Sequence, residues 1–343
     1  MGLPAARVRR LLERLVACGA LAATEPDPAL SHRGLGAEVD HWSRATGADV
    51  APTLAHRTTT TVGVLGLDRV GLALAGILAA AGVGTILVED PRRVRRDELG
   101  TGYLAADVGH RRADRARAAL RSAHPHLRLS AAPGTRPDLV VLVEQDVSDP
   151  VRQRPLMRED VDHLLVVSRE VDVVVGPLVT PGRGSCGRCV DLHRTDADDR
   201  WPALATQLLG AARRGVETTS AVVAAGLAAG QVLAHLDGRP VSTASTSLLV
   251  DPRRPVPRTQ QWPLHPQCGC SGLLPRDEPD RGPAVRRPAT ASGDGGVLPG
   301  PASAALGRHD LAADEDLAAP DAPRLLTSDG AAQAGLADRA ASA

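Results

Sequence analysis

Four cysteines fall in two close pairs, Cys186-Gly187-Arg188-Cys189 and Cys268-Gly269-Cys270. Thiolates at this spacing, brought together as a tetrahedron, saturate a structural zinc ion and leave no position open for a substrate or a catalytic water. Such a site stabilises a fold and does not react. A redox Cys-x-x-Cys has no need of the second pair, and disulfides do not suit a chain without a secretory signal. Cys186, Cys189, Cys268 and Cys270 are therefore the expected metal ligands. His265, three residues ahead of Cys268, is either a substitute for one thiolate or a plain loop residue. The fifth cysteine, Cys18, lies in an apolar helical stretch, where a thiol usually acts as a small buried hydrophobe.

A second constellation lies upstream. Residues 58–65 are β-rich, residues 66–70 make a glycine-flanked turn, and a helix is expected over 71–81, ended by Gly82-Val83-Gly84. The apolar run 85–88 then closes on Glu89 and Asp90, which completes a compact βαβ unit. In such units the backbone N–H groups at the helix N-terminus meet phosphate, and an acid at the end of the second strand accepts ribose hydroxyls. Gly66, Asp68, Gly71 and Asp90 are the candidate nucleotide-binding residues. Asp68, however, would set an anion against anionic oxygens, and a strand-end acidic cap is an equally good account of Asp90.

Other elements must position these groups. Residues 5–22 have apolar positions at helical spacing, and a short helix is expected over 36–45. The runs 139–143, 164–167 and 171–175 are short and valine-rich, as buried parallel strands are. Helices over 202–213 and 216–236 and a strand over 246–250 precede the second cysteine pair. The order predicts an α/β fold with a doubly wound, mostly parallel sheet of Rossmann type, closed by the zinc clasp. Beyond residue 275 the chain is Ala, Gly, Pro, Asp and Arg without periodicity, and residues 276–343 are expected to be a disordered tail.

Composition narrows the function classes. The chain has 343 residues and zero formal net charge, with arginine supplying every cationic side chain because there is no lysine. Asparagine and phenylalanine are absent as well. A neutral balance without a basic or aromatic surface argues against nucleic acid as a partner. The apolar stretch 218–236 reads as a buried helix and not a membrane span, and the N-terminus has no signal-peptide pattern, so the expected location is the cytoplasm.

The order of features resembles the ThiF/MoeB/HesA family of adenylyltransferases, relatives of ubiquitin-activating enzymes, over residues 58–273. The resemblance rests on Gly66-Leu67-Asp68-Arg69-Val70-Gly71, on the Ala-Ala-Gly-Val-Gly ending over 80–84, on Asp107-Val108-Gly109, on His124-Pro125, and on the cysteine pairs. Gly176-Pro177-Leu178-Val179, the stretch 188–194 and Trp201-Pro202-Ala203-Leu204 are similar to the actinobacterial ThiF-like proteins associated with thiazole/oxazole-modified microcin (TOMM) cyclodehydratases. That group implies a peptide or protein partner such as a YcaO-type cyclodehydratase, a homodimer, and a winged-helix peptide clamp of which residues 1–50 would be the remainder.

Family chemistry implies ATP with Mg²⁺, structural Zn²⁺, and attack of a carboxylate on the α-phosphate. Much of the apparatus departs from the family's pattern here. Asp68 and Arg69 stand where the family has glycines, and Glu98-Leu99-Gly100-Thr101-Gly102 keeps only the leucine of Asn-Leu-x-Arg-Gln. Arg112 stands for the family's lysine, and Asp146 is the counterpart of its metal-binding aspartate. Arg69, Arg112 and Asp146 are thus the catalytic candidates if the chain adenylates. Four readings stay open: a degenerate ThiF-like scaffold, an active adenylyltransferase, an NAD-binding oxidoreductase that uses Gly66, Gly71 and Asp90, and a structural interaction protein unrelated to nucleotides.

Overall fold

A computed structural model describes residues 4–17, 28–132, 134–211, 214–254 and 256–271. Cys18 and the tail expected over 276–343 lie outside the described residues. The elements run α1 (Ala5–Ala17), α2 (Pro28–His32), α3 (Gly36–Thr46), α4 (Ala51–Arg57), β1 (Thr61–Leu65), α5 (Arg69–Ala80), β2 (Thr85–Glu89), α6 (Arg112–Ala123), β3 (Leu139–Gln145) and α7 (Pro150–Arg158). They continue with β4 (His163–Ser168), β5 (Val173–Val179), α8 (Gly187–Ala197), α9 (Trp201–Leu209), α10 (Thr218–Leu236), β6 (Thr246–Val250) and β7 (Arg258–Gln261).

All seven strands form one sheet in the order β2-β1-β3-β4-β5-β6-β7. Pairing is parallel from β2 to β4, the Rossmann half, and antiparallel from β4 onward. The sheet is therefore mixed. The valine run expected as a further parallel strand, now β5, pairs antiparallel with β4 and with β6. A run buried on both faces carries no directional signal: only four residues separate β4 from β5, too few for the crossover that a parallel neighbour needs. β7 ends the sheet with four exposed polar residues, Arg258 to Gln261, a composition that discourages further strand addition.

The larger core lies on the face carrying Val141, Val143, Leu164, Val166, Val173 and Val175. α5 and α10 cover it. Five alanines of α10 (Ala221, Ala224, Ala225, Ala228 and Ala229) and Val232 are buried there, and α10 packs on α5 and β5. It is the one helix among the described residues long and apolar enough to cross a membrane, and its alanine face is core. On the opposite face Val140, Leu142 and Leu165 meet Val161 and Leu156 near α7, and beside them the cysteine cluster packs on Val179 and Met157.

Several boundaries differ from the sequence expectation for local reasons. The first strand begins at Thr61 and not at residue 58, because the hydroxyls of Thr58, Thr59 and Thr60 donate to the carbonyls of Ala55, His56 and Arg57 and finish α4. That helix was not foreseen. Residues 28–57 make a small cluster around Leu30, Leu35 and Leu54. Arg57, 1% exposed, ties it to α10 through a two-pronged pair with Asp237 at 2.7 and 2.6 Å. α5 starts two residues early, at Arg69, because Asp68 caps it.

Candidate functional site

Gly66 and Gly71 set the turn between β1 and α5. Gly66 has φ 110°, and a Cβ there would stand 2.1 Å from the Val143 carbonyl oxygen. A Cβ on Gly71 would stand 2.0 Å from the Gly66 oxygen. Both contacts are with backbone, so these glycines are required by close packing whether or not a ligand binds.

Between them Asp68 fills the position where an anion would sit. Its Oδ1 accepts the Val70 amide at 3.0 Å and the Gly71 amide at 3.2 Å, an N-cap made from the chain's own carboxylate. Burial pushes the Asp68 carboxyl up, more than the two amides and the nearby Arg112 pull it down.

Asp90, just past β2, is occupied on both oxygens. One accepts the Arg92 amide at 3.0 Å; the other accepts the Leu67 amide at 2.8 Å and the Arg112 guanidinium at 2.9 Å. Burial works against its charge, but the Leu67 amide and Arg112 outweigh it and hold its carboxyl below the usual range. Arg112 also grips both oxygens of Glu98, and all three side chains are at most 3% exposed. Burial opposes the Arg112 charge, yet the facing Asp90 and Glu98 raise its pKa overall. The Tyr103 hydroxyl closes the network by donating to the Leu67 carbonyl at 2.7 Å.

The remaining candidates stand at the C-terminal ends of the strands. Arg69 donates to the Leu99 carbonyl, to the Val216 carbonyl at 3.0 Å and to Thr218 Oγ1 at 2.9 Å. Asp146, after β3, lies 3.5 Å from exposed Arg214. Gln145 donates its amide to the Arg214 carbonyl, so the chain between Arg214 and Thr218 is tied to both Gln145 and Arg69. Four buried polar atoms make no hydrogen bond in this part of the fold: Arg69 Nε, Thr101 Oγ1, Gln145 Oε1 and Ser168 Oγ.

The structure thus brings Gly66, Asp68, Gly71, Asp90 and Arg112 into one cluster, with Arg69 and Asp146 at its rim. Sequence reasoning missed Glu98, Tyr103, Gln145 and Arg214. In the sequence Glu98 is only a departure from the Asn-Leu-x-Arg-Gln pattern, just after an arginine-rich run, which without the fold names no partner.

The four cysteines converge on the other side of the sheet. Cys186 caps α8 and Cys189 sits in its first turn, while Cys268 and Cys270 approach from the chain after β7. Sγ of Cys186 is 3.5 Å from that of Cys268, and Sγ of Cys189 is 3.4 Å from that of Cys270. All four sulfurs lie within 4.8 Å of one another. Zn–S bonds of about 2.3 Å in a tetrahedron put sulfurs about 3.8 Å apart, so the donor set fits zinc. The thiols titrate together: the neighbouring Cys186 holds the Cys189 thiol well below its usual range, the same contact pushes Cys186 up, and burial raises Cys270. His265 offers this cluster only its backbone N–H, 3.5 Å from Cys189 Sγ, while its ring turns to Asp196.

Comparison with known proteins agrees with the geometry. Residues 50–152 match the ThiF family, in keeping with the resemblance read from the sequence. A search of curated proteins gives no match. Among solved structures, E. coli MccB with succinimide superposes at TM-score 0.61 and 16% identity, covering 80% of this chain and 83% of that one. E. coli MccB with ATP gives 0.59 and 17%, over 79% and 82%. PaaA gives 0.56 and 14%, over 74% and 92%. At these identities the likeness is one of fold.

Proposed function

We propose that this ThiF-type, adenylyltransferase-fold chain has lost adenylation and serves as a scaffold that binds a peptide or protein in ribosomal-peptide modification. One observation carries the reading. The amides at the start of α5, which a nucleotide phosphate would use, are bonded to Asp68 of the chain itself. The groups that would follow, Asp90 for ribose and Arg112 for phosphate, are spent on each other and on Glu98.

The peptide half of the proposal draws on likeness. MccB, the microcin C7 biosynthetic enzyme, has been crystallised with the peptide MccA in N-formylated form, at TM-score 0.60 and 15% identity to this chain. A similar surface here would take a peptide, with a YcaO-type cyclodehydratase as the assembly partner and the cytoplasm as the setting. Zinc at the four cysteines keeps α8 joined to the chain after β7.

A second reading has an observation of its own. The partnerless Arg69 Nε, Gln145 Oε1 and Ser168 Oγ are buried just past or at the C-terminal ends of β1, β3 and β4, and in native proteins such atoms call for a partner. On that reading Arg69, Arg112 and Asp146 would serve ATP and Mg²⁺.

Calorimetry separates the two. Zinc-loaded protein titrated with ATP and Mg²⁺ should give no heat of binding in the micromolar range, and no ATP–pyrophosphate exchange should follow when a peptide carboxylate is added. Micromolar binding with exchange would replace the scaffold with an enzyme. NAD, titrated alongside, tests the oxidoreductase reading, for which Gly66, Gly71 and Asp90 are the only support.

A further inference from the structure

The outer face of α8 carries ligand-type side chains that the cysteine cluster does not use. His193 and Asp196 are three residues apart and so are neighbours on the helix surface. His265 reaches them from the loop ahead of Cys268. Its Nε2 lies 2.8 Å from Asp196 Oδ2. The rings of His193 and His265 meet edge-on with centroids 4.9 Å apart, and one donor atom from each of the three residues lies within 4.8 Å of the others.

Hydrogen bonding around the two rings sets which nitrogens are available. Nε2 of His193 is 2.9 Å from the Pro263 carbonyl, so it carries the proton, and Nδ1 keeps a lone pair. A ligating histidine typically gives its second nitrogen to a carbonyl in this way, which fixes the ring. His265 is 6% exposed and held from behind, its backbone N–H on Cys189 Sγ and its Nδ1 3.2 Å from the Gln267 amide. Asp196 is on the open surface, with 65% of its side chain exposed, and is free to adjust.

We infer that His193, Asp196 and His265 form a second metal site, separate from the four thiolates, for a borderline divalent cation such as Zn²⁺, Ni²⁺ or Co²⁺. Two imidazoles and a carboxylate suit these ions, with bonds of about 2.0–2.2 Å. Binding draws the donors closer than they stand now. The ion takes the place of the His265 Nε2 proton that faces Asp196; the ring proton moves to Nδ1, and the 3.2 Å contact with Gln267 is given up. Three protein ligands leave a coordination position open, unlike a saturated four-sulfur site. That position takes water or a donor atom from a bound partner.

The test is metal stoichiometry on the full chain. Wild-type protein and the variants His193→Ala and Asp196→Ala are equilibrated with micromolar Zn²⁺, passed through a desalting column and assayed for zinc by atomic emission. Each variant should hold one equivalent less than wild type, whatever the cysteines hold, with unchanged melting in chelator. His56→Ala, a histidine outside the cluster, should lose none. Equal zinc in wild type and both cluster variants overturns the site, as does an equal loss in His56→Ala, which would mark general surface binding.

Discussion

Arg112 and Asp90 face each other at 2.9 Å with 3% and 1% of their side chains exposed. A charge pair this deep is tolerated because each partner cancels the other's desolvation, and removing one leaves the rest stranded.

Arg112→Ala should therefore destabilise the fold by about 3–5 kcal/mol, since both Asp90 and Glu98 lose their cation. Arg112→Lys should fall between, because one ammonium cannot serve both carboxylates in the forked geometry of a guanidinium. Urea unfolding measures both. A loss within about 0.5 kcal/mol for the alanine variant would mean that the network is incidental.

Asp68 and Asp90 titrate in opposite senses. Burial raises the Asp68 carboxyl, so its ionised form is disfavoured in the fold, and its contribution to stability is lost as pH rises through the folded value. Asp68→Asn keeps the cap without the charge and should melt higher than wild type at neutral pH, with the gap closing as pH falls. Asp90 is lowered, so its contribution is full above the ordinary value of 3.8 and is lost in acid as pH falls through the folded value. A gap between Asp68→Asn and wild type that widens in acid would contradict this account.

Asp68→Gly removes the internal anion from the start of α5 and should give nucleotide affinity that wild type lacks, at a stability cost of a few tenths of a kcal/mol relative to a good cap. Calorimetry with ATP and Mg²⁺ reads it. If wild type already binds tightly and the variant is no different, the loop is not the obstacle.

Two glycines of one helix should answer alanine in opposite directions. Gly71→Ala drives a methyl to 2.0 Å from the Gly66 carbonyl and should cost about 1–3 kcal/mol or more. Gly76→Ala meets nothing within 4 Å in the interior of α5 and should stabilise by about 0.5–1 kcal/mol. Thermal melting of the pair would show whether the turn is as tightly packed as described.

Cys186→Ser or Cys268→Ser should lower both zinc content and melting temperature, because metal binding free energy is folding free energy where the ligands come from distant segments. Unchanged zinc content and melting in both variants would remove the clasp.

The chain itself determined the βαβ unit, because apolar runs of strand length, a glycine turn and an alanine-rich helix are local signals that each segment carries alone. It likewise determined the cysteine pairs, whose chemistry follows from type and spacing. The valine pattern of β5, buried on both faces, carries no direction; the short connection from β4 rules out a parallel neighbour there, and the pairing with β6 is set only by the tertiary structure. The fate of the charges was not legible. Asp90 and Arg112 each looked like a ligand group, and Glu98 only like a departure from a family motif, until the fold set them in one buried network. A charge in a sequence has a type but no partner. The partner, 14 residues away for Glu98 and 22 for Asp90, is chosen only when the backbone closes and water leaves.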